Sequence, residues 1–383
     1  MFTDLRVYVI VGMFLVAGIA LMIFNFIIIK HSKGKRASSA GMVNMWTDLL
    51  YKQTGIIPGK EQSESRHRAF LLKQLGDAEN LVFFSQALLY LKSEFPDVYS
   101  NYIGRFGSVF QQLSVIYKKK PGIERACFAD FICEFPGVTG ETYGALIDNL
   151  ISYIDDPNVY CRINVLRALC TIGNAQAIVN TLQVVNDKQL FIHRQTLTTV
   201  LSTFRGDKEI LGDILWSRCL SWDENLMVSV IQFITSFSEY YKDIFMPYLR
   251  DPLAKRDVRI AIVRYYGRHM YEPAHPILLG FVDNPTDTTL AIVAATALES
   301  YPKLDTVSTL RGALLSRHWY VRYNASSSLI KLGANNDLLK IVRYGDYHES
   351  EIVMYMLEQE VKRQGINSRY YYNNRLDRER ISA

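Results

Sequence analysis

Cysteine is scarce in this sequence. Cys127, Cys133, Cys161, Cys170 and Cys219 are the five in 383 residues. Their number is odd, no two are spaced as CxxC, and most sit among apolar residues at helical spacing. That pattern argues against a disulfide framework and reads as reduced thiols in a core, in a reducing compartment. Catalytic signatures are absent too. There is no GxSxG, no GxGxxG, and the seven histidines (His31, His67, His193, His269, His275, His318 and His348) include no HExxH and no pair spaced for one metal. In "GIIPGKE", residues 55–61, Gly55 and Gly59 stand one residue too close for a phosphate loop and Glu61 replaces the required Ser or Thr, so the stretch reads as a turn. The expectation is a chain that is not an enzyme and carries no catalytic residue, metal site or cofactor.

An excess of positive charge is lacking where it would matter for a polyanion. The net charge is +5, but residues 1–36 carry +4 and residues 362–383 another +4, leaving residues 37–361 near −3. Basicity belongs to the two ends, which makes a nucleic-acid partner unlikely to be the main one. With 49% hydrophobic and 12% aromatic residues, the body can bury a large core.

From Val7 to Ile29 the chain runs 23 residues without a charge. At helical rise that spans roughly 34 Å, enough for a bilayer core, and no small-residue cleavage site follows it. The expectation is a transmembrane helix. Only Arg6 precedes it, while Lys30, Lys33, Lys35 and Arg36 follow, which places the long remainder in the cytoplasm of a single-pass membrane protein. The same basic cluster admits a second reading as a lipid-recognition patch. After a linker, "MVNMWTDLLYKQTG" puts Met42, Val43, Trp46, Leu49 and Leu50 on one helical face. It reads either as a helix covering the first structural unit or as an interfacial helix with Trp46 at headgroup level.

The body repeats itself. "YCRINVLRALCTIG" at 160–173 returns as "YVRYNASSSLIKLG" at 320–333. With the Arg as a ruler, the series is Arg125, Arg162, Arg194, Met227, Arg259, Ala291 and Arg322, at intervals of 31 to 37 residues. Offsets of +3, +7 and +10 from these positions are all apolar or aromatic except His269, and an earlier unit fits the frame from Leu81. Helices of about ten residues lie between, such as "TYGALIDNLISYI" and "KEILGDILWSRCL". Turn signals separate the helices, and Gly137, Gly173, Gly206 and Gly333 fall near where second helices should stop. The fold class expected is all-α, an α-solenoid of seven or eight two-helix units behind one membrane helix. The layout expected is 1–6 outside the cell, 7–29 membrane, 30–64 juxtamembrane, 65–345 solenoid, 346–363 a capping helix and 364–383 a polar basic tail.

These motifs resemble the HEAT repeat family, including the bacterial variants related to bilin lyase repeats; Met227 and Ala291 depart from the pattern. The resemblance implies a structural ladder of turn acids and arginines, here Asp155 or Asp156, Asp187, Arg125, Arg162, Arg194, Arg259 and Arg322. His348 with Glu349 matches the His-Glu unit of iron hydroxylases built on such repeats, which use several copies where this chain has one. "NAS" at Asn324 falls inside a predicted helix and reads as a chance acceptor match.

The function expected is that of a membrane-anchored cytoplasmic scaffold or adaptor. Its partner would be a protein, an integral or membrane-associated enzyme, as for an accessory subunit of an envelope-polysaccharide or secretion machine. Candidate contacts are Trp216, Trp222, Trp319, Tyr370, Tyr371 and Tyr372. The alternatives are an array binding nucleic acid, through Arg264, Arg268, Arg311, Arg317 and Arg343, or anionic lipid, or an enzyme built on the repeats.

Overall fold

The computed structural model describes residues 39–135, 143–283, 285–333 and 347–363. Among the described residues there are only helices and turns. The helices are α1 (39–53), α2 (Glu64–Leu75), α3 (Ala78–Glu94), α4 (Pro96–Lys118), α5 (Gly122–Glu134), α6 (Tyr143–Ser152), α7 (Val159–Ile172), α8 (Ala175–Asp187) and α9 (Arg194–Ser202). They continue as α10 (Lys208–Cys219), α11 (Glu224–Thr235), α12 (Lys242–Arg250), α13 (Arg256–Arg268), α14 (His275–Asp283), α15 (Thr288–Ala297), α16 (Leu304–Ala313), α17 (Trp319–Lys331) and α18 (Tyr347–Arg363). Each packs on near neighbours in the sequence, an order compatible with an α-solenoid. Two compact units divide between Val184 and Val185, inside α8. The expected membrane segment 7–29 lies outside the described residues, among which no helix is long and apolar enough to cross a membrane.

In the first unit, local chemistry sets the helix ends. The Asp77 carboxylate accepts the N–H groups of Glu79 and Asn80 at the head of α3, Pro96 opens α4, and Asn158 accepts the Tyr160 N–H at the head of α7. Gly173 closes α7 at φ 80°, where a Cβ would be strained, and donates its N–H to Leu169 O. Helices α1, α3, α5 and α7 run parallel. Trp46 of α1 meets Phe84 of α3, and Tyr51, further along α1, donates to Glu94 at the end of α3. Lys92, late in α3, lies over Phe135 just past α5, while Asn164, Arg167 and Thr171 of α7 reach Ala126, Asp130 and Cys133 of α5 in the same order. The starts of these four helices therefore share one edge.

The second unit repeats the scheme. Asp207, Asp223 and Asp287 cap α10, α11 and α15 through their carboxylates. The second helices α9, α11, α13, α15 and α17 are tied sideways by side chains reaching a neighbour's backbone: Asn225 to Ile192 O, His269 to Thr235 O, Ser300 to Gly267 O and Ser328 to Ala295 O. Burial follows the ruler: Leu197, Leu201, Val230, Ile234, Ile262, Tyr266, Ala294, Leu298, Ala325 and Leu329 are all in the core. Met227 and Ala291, which stand where the Arg is missing, are buried as well. On α18 the buried residues are Ile352, Val353, Met356 and Leu357, and the helix packs on α17.

Candidate partner-contact surface

The ruler arginines keep one register but do not keep one partner. Arg125 pairs with Asp156 at 2.5 Å; the carboxylate is almost fully buried and also accepts the Asn158 N–H. It lies so close to Gly122 that a Cβ there would fall 2.1 Å from its oxygen, which is why α5 begins on glycine. Arg194 donates to Asn225 and, at 2.7 Å, to Asp257, one and two units further on. Arg162 and Arg322 instead turn back to carbonyls in the loop before their own helix, Pro157 and Ser316, and Arg259 lies over the Phe281 ring. Arg125 and Arg194 thus pair with acids of later turns, as a ladder would, while Arg162, Arg259 and Arg322 have a carbonyl or a ring beside them. Asp187 ends α8 and is exposed.

The tryptophans separate into two kinds. Trp216 is 9% exposed and set edge-on against Phe245 and Tyr248; Trp222 is 2% exposed. Both belong to the core, and the expectation that they meet a partner is corrected. Their flanking turn exposes Leu220 instead. Trp46 is likewise buried, between Phe70 and Phe84, so it holds α1 to the first helix pair and is not at a headgroup surface. Trp319 differs: it is 44% exposed at the head of α17, stacked on Tyr323 and edge-on to Tyr320, which is 64% exposed. Tyr370, Tyr371 and Tyr372, with Lys30, Lys33, Lys35, Arg36 and Arg343, lie outside the described residues.

Other exposed apolar residues sit at the same place in their units. They are Ile123, Val159 and Tyr160 in the first unit and Phe191 in the second, each two or three positions before the ruler Arg. The repeat pattern is set by the positions after the Arg, and the exposed apolar residues lie at the positions before it. The heads of α11, α13 and α15 carry polar pairs there: Glu224 and Asn225, Arg256 and Asp257, Thr288 and Thr289.

The buried histidines and two of the buried thiols are shifted by the fold away from their ordinary titration range. His67 is fully buried, its Nε2 bonded to the Tyr102 hydroxyl at 2.9 Å; burial and then the Arg105 charge lower its pKa to about 4. Burial also lowers that of His275, bonded to Thr306. Burial pushes the thiols of Cys161 and Cys219 up to about 12, and all five cysteines are free. Among the described residues no group of three or more His, Cys, Asp or Glu is arranged to hold a metal. Asn324, half-buried within α17, donates to Tyr320 O and accepts from the Thr296 hydroxyl. The exposed arginines are divided among elements, with Arg264 and Arg268 on α13, Arg311 on α16 and Arg317 in the turn before α17. No family model matches the chain, and no curated protein matches it.

Proposed function

We propose that this chain is a membrane-anchored scaffold whose HEAT-like α-solenoid binds partner proteins on the cytoplasmic side. The observation that carries the reading is the pair of exposed aromatic side chains at the head of α17, Trp319 and Tyr320. A side chain that the fold leaves half in water while its neighbours are buried is free to anchor a partner. The uncharged run 7–29 and its basic flank support the tether, which raises the effective concentration of the scaffold for anything else in the membrane. The partner class favoured is an integral or membrane-associated enzyme, with the chain as an accessory subunit of an envelope-polysaccharide or secretion machine.

Affinity purification of the full chain from its own membranes, followed by mass spectrometry, tests this. The reading expects one integral membrane enzyme, and expects Trp319→Ala with Tyr320→Ala to lose it without loss of folding. Capture of soluble proteins only, or of nucleic acid, overturns it.

A further inference from the structure

The turn between α4 and α5 reads "VIYKKKPGI", residues 115–123, and its side chains combine two kinds of exposure. Val115, Ile116 and Ile123 are large, apolar and in water; Ile123 is 58% exposed. Lys118 and Lys119 are exposed between them and make no ion pair among the described residues, while Lys120 pairs with Glu124 at 3.4 Å. Of the acids beside it, Asp77 is engaged by the N–H groups at the head of α3 and Asp156 by Arg125, while Glu79 is exposed. Lysines flanking exposed isoleucines match an anionic interface with an apolar layer beneath it.

The position of this turn matters as much as its chemistry. Tyr117 donates to Leu75 O at 2.9 Å, and the Ile116 side chain lies beside Gly76, so the α4–α5 turn and the α2–α3 turn are neighbours on one edge. Because α1, α3 and α5 are parallel, the start of α1 lies on that edge too. With adjacent helix axes 8–10 Å apart, the start of α1 is about 20 Å from the start of α5. Only residues 30–38 separate α1 from the uncharged run, a reach of at most about 30 Å. The chain thus enters the first unit on the edge that carries the lysines and isoleucines.

We infer that this edge, with Ile116, Lys118, Lys119, Lys120 and Ile123 at its centre, rests on the anionic face of the bilayer that holds the chain. The inference rests on the anchor reading of residues 7–29, and it fixes which edge of the first unit faces the membrane. The remaining surface is left for a protein partner.

The test uses the full chain reconstituted in nanodiscs of phosphatidylcholine, alone or with phosphatidylglycerol, read by hydrogen exchange. At the start of α5 the Gly122 and Ile123 amides have no acceptor within the helix and exchange fast when bare, whereas Glu124 and Arg125 donate to Pro121 O. The expected result is slowing of the Gly122 and Ile123 amides by about tenfold in the anionic discs only, abolished in a variant with Lys118→Glu, Lys119→Glu and Lys120→Glu whose exchange elsewhere is unchanged. Equal exchange in both discs overturns the contact, and leaves the edge to a protein. A carbonate wash separates the two layers of the argument. A chain retained in the membrane with an unprotected edge fails this inference alone, whereas a chain released by the wash fails the anchor reading and this inference with it.

Discussion

Protonating His67 is unfavourable in the folded chain, because the ring is fully buried and its Nδ1 has no hydrogen-bond partner there. Unfolded, it titrates near 6.5; folded, near 4. Between those values the unfolded chain takes up a proton that the folded chain refuses, so this stabilisation is complete above pH 6.5 and is lost as pH falls toward 4. Thermal unfolding should therefore drop from pH 7 to pH 4.5, and His67→Phe should flatten part of that slope. An unchanged slope would show that other groups set it. At the head of α15, Asp287 is held by Arg256 well below the usual carboxylate range, at about 2, and caps two N–H groups. Asp287→Ala should cost about 1–2 kcal/mol in chemical denaturation. The register of the ruler arginines was legible in the sequence, since helix periodicity is a local property. Their partners were not, because a guanidinium reaches for whichever acceptor the adjoining turn presents. Arg162 finds a carbonyl and Arg125 a buried carboxylate.

At the scale of single helices, two tryptophans that look alike in the sequence differ by their place on the element. Trp216→Ala should cost about 3–5 kcal/mol, because it empties a site walled by Phe245 and Tyr248. Trp319→Ala should stay within about 0.5 kcal/mol. Equilibrium unfolding of both variants checks the contrast, and similar losses would place Trp319 in the core. The second helices were the most legible elements, since their apolar face recurs at fixed offsets and even continues past the helix, as with Phe135 and Tyr301. The first helices were less so. At 23 residues α4 is about twice the expected length, and α12 carries Pro247 inside it, a residue that reads as a stop. The expected glycine stops hold at Gly173 and Gly333, both at positive φ, but α9 ends on Thr203 before Gly206 is reached.

For the molecule as a whole, the sideways bonds within each unit share a property. Tyr117 to Leu75, Asn164 to Ala126, Asn225 to Ile192 and Ser328 to Ala295 join residues 42, 38, 33 and 33 apart. Tertiary structure within a unit is built at about one-tenth of the length of a 383-residue chain. Few long loops have to close, so a growing chain has the partners of each helix at hand as soon as the next helix pair has emerged. During synthesis the nascent protein should become protease-resistant in steps of roughly one repeat. The first helix pairs would then be folded while the last are still unmade.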